Sequence, residues 1–368
     1  MRRRALWLGI VLAGAFGAVA LADTEADTLG HRAAAWLASL DSDQRRAARY
    51  EWEDDERFDL RLAPIGLEGV RRRDLDDSQW RGLRHVLAGA LSEQGLAKVE
   101  TIMSLEREVR RRDRESLLGG WFGGFIHGED LYYTSVYGEP DAGTPWGLRF
   151  DGHHVSLNWT VDASGRVSTT PFFLGGEPRE VPADWERAGL RVLADEEDRG
   201  GAVLAALTAE QRAASELPFT LASGIAGNDR AHFLGEGARV DASEPAGVAY
   251  AGLGPAAQAA VDALLEAYLA NFAAPLATQH RAAVDAGGRG RLHFAWSGSL
   301  APGAPGYYRL QGPDLLIEFD NTMEAADHVH LVVRRFDGDF GRDLLAEHHA
   351  RHHTPHRSAR ADHEGLAR

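Results

Sequence analysis

Between Asp74 and Arg112 the residues Trp80, Leu83, Leu87 and Leu91 recur at the three- and four-residue spacing that gives a helix one apolar stripe. Asp76, Asp77 or Ser78 can cap its start, and Gly95 can break it. Similar helical patterns run over 29–52, 193–217 and 254–272. From about Tyr132, and again from about His293, the pattern changes to the two-residue alternation of strands. The order helices, strands, helices, strands predicts an α+β architecture.

The alternation of the two patterns suggests an internal repeat. YGEPDAGTPWGLRFDGHHVSLNW at 137 lies without a gap over SGSLAPGAPGYYRLQGPDLLIEF at 297. Gly138, Gly143, Pro145, Arg149 and Gly152 then match Gly298, Gly303, Pro305, Arg309 and Gly312, while Val155, Leu157 and Trp159 fall over Leu315, Ile317 and Phe319. Upstream, LDSDQRRAA at 40 is similar to LTAEQRAAS at 207. The expectation is two pseudo-repeated halves, about 30–180 and 190–349. Each has helices followed by an antiparallel β-meander, and the two pack as a single domain over 23–349. Each copy reads as a hairpin turned at Asp151-Gly152 or Gln311-Gly312.

At the N-terminus, Arg2, Arg3 and Arg4 precede the apolar run ALWLGIVLAGAFGAVALA, which ends in Ala20-Leu21-Ala22. This order predicts a signal peptide over residues 1–22, cleaved before Asp23, and a periplasmic or secreted protein with no stable membrane insertion. The Arg3-Arg4 pair leaves both general and twin-arginine export open. Removing three arginines and no acid changes the formal charge from -15 to -15 - 3 = -18. So acidic a chain argues against a nucleic-acid partner, which requires a basic face. The chain has no cysteine, so its stability rests on a core, and any metal must be held by His, Asp, Glu or neutral oxygens.

The strongest candidate chemistry lies in the strands. In a strand beginning at His153, alternation would set His153 with Val155, Leu157 and Trp159, and His154 with Ser156, Asn158 and Thr160. In the second copy Glu318 takes the place of Asn158. The next strand, DHVHLVVRR, projects His328 and His330 from one face, a spacing that a single ion can bridge. The candidate metal ligands are therefore His328, His330 and Glu318, with His154 and then His153 as further contributors. Imidazoles with one carboxylate suit a divalent metal, zinc first, with copper or iron as alternatives. His154, Arg149, Arg309 and Arg334 are the candidate catalytic residues; the planar guanidinium of Arg149 or Arg309 can grip an anionic substrate, and their match across the repeat equally allows a structural role bridging the halves.

The segments VYGEP, WGLRFDGHHVSLNW, YYRLQGPDLLIEFDN, DHVHLVVRRFDGDFGRDLL and the final EHH resemble the family catalogued as domain of unknown function 3500. The resemblance runs from about Arg45 to His349. Near the last motif the family form is closer to HIHSVWRD, from which Leu331, Val333 and Arg335 depart while His328, His330 and Arg334 fit. The family name implies no activity.

The leading functional expectation is an exported metal-dependent enzyme, a hydrolase or an oxidase acting on a small molecule. The alternatives are a non-catalytic metal-binding or carrier protein and a metal-free binder of an acidic ligand. Residues 350–368 read as a histidine-rich tail without a defined fold that would bind metals loosely.

Overall fold

A computed structural model describes residues 20–60, 66–115, 128–218 and 244–342. Most of the signal-peptide segment and the histidine-rich tail lie outside the described residues. Eight helices are described: α1 (Ala20–Ser39), α2 (Ser42–Ala48), α3 (Asp77–Leu87), α4 (Glu93–Glu115), α5 (Ala194–Ala206), α6 (Ala209–Ser215), α7 (Pro255–Leu269) and α8 (Ala274–Gly287). The strands are β1 (Arg49–Tyr50), β2 (Val70–Arg71), β3 (Tyr133–Gly138), β4 (Trp146–Gly152), β5 (Val155–Val161), β6 (Val167–Ser168), β7 (Phe172–Gly176), β8 (Val248–Ala249), β9 (His293–Gly298), β10 (Gly306–Gln311), β11 (Leu315–Met323) and β12 (His328–Arg335).

Local sequence explains the helix boundaries. Asp76 caps α3 and Gln79 closes the reciprocal bond; Asp41 with Gln44, and Thr208 with Gln211, do the same for α2 and α6. Gly95 does not interrupt the second helical segment, because the break falls earlier, between Leu87 and Glu93. Gly95 lies instead in the first turn of α4, where a side chain would meet the Asn271 carbonyl at 2.1 Å. Glycine is needed there for close approach, not for a turn. The helix α8 arises beyond the 254–272 pattern, with Pro275 in its first turn. Among the described residues no helix is long and apolar enough to cross a membrane.

The strands form one mostly antiparallel sheet in the order β1-β3-β4-β5-β7-β12-β11-β10-β9-β8, with β2 on β3 and β6 on β5. The pair β1–β3 is parallel. Tyr133, Trp146 and Val155 open β3, β4 and β5, and His293, Gly306 and Leu315 open β9, β10 and β11, each 160 residues later. At the centre β7 lies against β12, pairing Phe172 with Val333 and His330 with Gly175.

Alternation divides the sheet into two unlike faces. Val155, Leu157, Trp159, Leu315, Ile317, Phe319, Val329, Leu331 and Val333 pack with Trp36, Leu83, Val99, Leu264 and Val284 from the helices into the main core. The opposite face has a small apolar cluster of Leu60, Phe173, Tyr307, Val332 and Phe340, set among buried Arg149, Asp151, Asn158, Arg309, Glu318 and Arg334.

Candidate metal centre

Four histidines, two from a turn and two from a strand, meet where the central strands end. The turn between β4 and β5 is His153-His154 itself, one position pair beyond the expected Asp151-Gly152, so the two histidines lie outside the alternation of β5. His154 has φ 64, a left-handed conformation that histidine adopts more readily than most side chains. The backbone there is fixed from both sides: Gly175 N–H donates to the His154 carbonyl at 2.7 Å and Tyr132 O–H to that of His153 at 2.8 Å. The second hairpin likewise turns later than Gln311-Gly312, and Asp314 takes the position of His154. There Arg335 pairs with Asp314, so no equivalent histidine site forms.

The two rings of the turn lie side by side, with centroids 3.8 Å apart and planes inclined at 31°. Nδ1 of His153 lies 2.9 Å and Nδ1 of His154 3.0 Å from the same oxygen, Oε1 of Glu106 on α4. With Nδ1–H donating to the carboxylate, His154 keeps Nε2 unprotonated. That atom faces Nε2 of His328 at 2.6 Å. Two lone pairs cannot face each other so closely, so a proton or a cation must lie between them. His328 Nδ1 is 3.8 Å from Glu177.

One ligand atom each from His153, His154 and His328 lies within 4.8 Å of the others, and all three residues are buried. Zinc–imidazole bonds of about 2.0–2.1 Å keep ligand nitrogens within roughly 4 Å of one another. The three rings are near enough to be candidate ligands of one ion, for which the 2.6 Å contact between His154 and His328 would have to open. Softer borderline ions suit imidazole nitrogen; magnesium and calcium prefer oxygen.

His330 stands beside this group and is not one of the three. Its ring centroid is 4.6 Å from that of His328 and 5.6 Å from that of His154. Space for His154 and His330 comes from Gly175, where a Cβ would lie 2.6 Å from His154 Cδ2 and 2.9 Å from His330 Cδ2.

Glu318 is not in the group. It pairs in register with Val332, one strand repeat along from the Asp320–His330 pair, and its carboxylate accepts the Tyr307 O–H at 2.6 Å. The carboxylate at the histidines is Glu106, outside the set expected from the strands. The signal was there: Glu106 follows Ile102 by four residues and precedes Val109 by three, a charge on the apolar stripe of a helix.

The candidate arginines have structural partners. Arg149 donates to the backbone and carboxylate of Glu56 and pairs with Asp151 at 2.7 Å. Arg309 sits opposite Glu318 in the β10–β11 register. Arg334 pairs with Asp339 at full burial. Burial raises the Asp151 carboxyl to about 6 despite the opposing pull of Arg149.

An α+β sheet protein with a buried cluster of histidines able to hold a metal ion is the class this geometry defines. The chain belongs to the family described as "Protein of unknown function (DUF3500)", whose model matches residues 22–342. No curated protein and no solved structure matches the chain.

Proposed function

We propose that the chain is an exported metal-dependent enzyme whose ion is held by His153, His154 and His328. The observation that carries this reading is the convergence of three buried imidazole donors within 4.8 Å. Three protein ligands leave a coordination position open, the pattern of catalytic sites, whereas structural sites are usually closed by four. A divalent ion there would supply Lewis-acid chemistry toward water or a substrate oxygen. Zinc is the ion we favour, and hydrolysis the reaction class.

A second reading is favoured by the proximity of His330 and by the burial of all four histidines, His154 completely. If His330 becomes a fourth ligand the site closes, and the protein stores or carries metal without turnover. The ion content of untagged protein separates these readings from metal-free ligand binding. One tightly held ion per chain is expected, and an ion-free protein that takes up none on addition of zinc, copper or iron would overturn both.

We also propose that residues 23–349 form one domain made of two copies of a single unit. Support comes from the constant 160-residue offset of six strand starts. Each half also has one parallel pairing, Arg49 with Val136 and Glu216 with Trp296, and Val136 and Trp296 are again 160 residues apart. Export rests on the order of residues 1–22, and N-terminal sequencing of periplasmic material beginning at Asp23 is its test.

A further inference from the structure

Glu106 is 1% exposed and occupies a position where the α4 stripe calls for a hydrophobic residue. A buried carboxylate is costly unless its charge is met. Its two oxygens are used unequally: Oε1 is shared by both turn histidines, while Oε2, also buried, has no hydrogen-bond partner among the described residues. A carboxylate placed merely to satisfy two donors would gain by giving each its own oxygen. Sharing one oxygen instead sets the two rings side by side with both Nδ1 atoms toward α4, which leaves each Nε2 on the far side of its ring. One of those atoms, on His154, meets His328.

We infer that Glu106 is the positioning residue of the centre: it locks the His153-His154 turn as a paired Nε2 donor and supplies negative charge for a bound cation. The inference rests on the metal-binding reading for what the Nε2 atoms do. The tautomers it requires belong to the protein itself and can be observed without metal. A carboxylate on the outer nitrogen of a ligating histidine fixes ring orientation and raises donor strength, and its loss typically costs about 10–100-fold in metal affinity.

The test uses the full chain. In chelator-treated protein, long-range ¹⁵N–¹H correlation should show His153 and His154 protonated at Nδ1 and bare at Nε2. Finding either ring protonated at Nε2 instead would overturn the inference, whether or not the protein binds metal. Cobalt(II) is then titrated into the wild type and into Glu106→Gln, which keeps shape and removes charge. Affinity should fall about 10–100-fold in the variant, with a changed visible spectrum and unchanged far-ultraviolet circular dichroism. Equal affinity with an identical spectrum would overturn the positioning role. A wild type that takes up no cobalt, zinc or copper would defeat the metal reading alone, leaving the tautomers to decide the role of Glu106.

Discussion

Nε2 of His154 and Nε2 of His328 lie 2.6 Å apart although 174 residues separate them in the chain. The contact joins the β4–β5 turn to the start of β12 across the C-terminal end of β7. His328→Ala should therefore abolish stoichiometric zinc, as should His154→Ala, when ion content is measured on untagged protein. His330→Ala should retain one ion per chain, because His330 stands outside the group of three. Loss of the ion in His330→Ala would make the site four-coordinate and favour the carrier.

Gly175 makes the centre possible by having no side chain. In Gly175→Ala the new methyl would meet His154 Cδ2 at 2.6 Å and His330 Cδ2 at 2.9 Å, and the Val329 carbonyl at 3.0 Å blocks retreat. Overpacking of this kind costs about 1–3 kcal/mol. The variant should melt earlier and bind zinc at least tenfold more weakly. Zinc affinity equal to wild type, measured by competition with a chromogenic chelator, would show that the rings are free to move aside.

The pH dependence of stability should contain two opposed contributions. Burial raises Asp151 to about 6 in the fold, so between about 4 and 6 the native state holds the extra proton. Stability from this group falls as pH rises through that window. Burial, aided by Arg335, lowers His280 to about 3, so the unfolded chain holds the extra proton between about 3 and 6.5. Stability from His280 rises with pH over that range. The two slopes, each up to about 1.4 kcal/mol per pH unit, offset one another between about 4 and 6. Urea unfolding should show Asp151→Asn gaining stability relative to wild type as pH rises from 4 to 6, and His280→Gln losing it. Parallel curves for all three proteins would contradict the assigned shifts.

Periodicity made the layers legible. The alternation of Val155, Leu157 and Trp159, and of Leu315, Ile317 and Phe319, identified the core face, and the His328–His330 spacing put both imidazoles on the opposite one. Turn register was harder to read. Asp-Gly is a strong turn signal, yet β4 continues through Gly152, where the Tyr132 ring packs against the backbone, and the histidines make the turn. A one-pair slip moved His154 from a strand face into the turn, beside Glu106. That carboxylate was hidden for a different reason, since a helix 47 residues earlier in the chain can reach the turn only through tertiary packing. Glu318 lies outside the histidine group because sharing a face with His330 does not put it in the same cross-strand row.

Arg334, a candidate for catalysis from its place in the HxH segment, is fully buried against Asp339, whose Oδ1 also accepts the Arg335 N–H at 2.9 Å. Arg334 sits two residues past Val332 on the polar face, and Asp339 belongs to the short turn that packs Phe340 over that face. The pair thus fastens the segment after β12 onto the sheet, a structural task. Removing one member of such a pair leaves a buried charge uncompensated and costs about 3–5 kcal/mol. Asp339→Ala should therefore lose stability on that scale in chemical denaturation, with zinc content per folded chain unchanged. A variant of native stability that has lost its metal or its activity would instead make the arginine part of the working site.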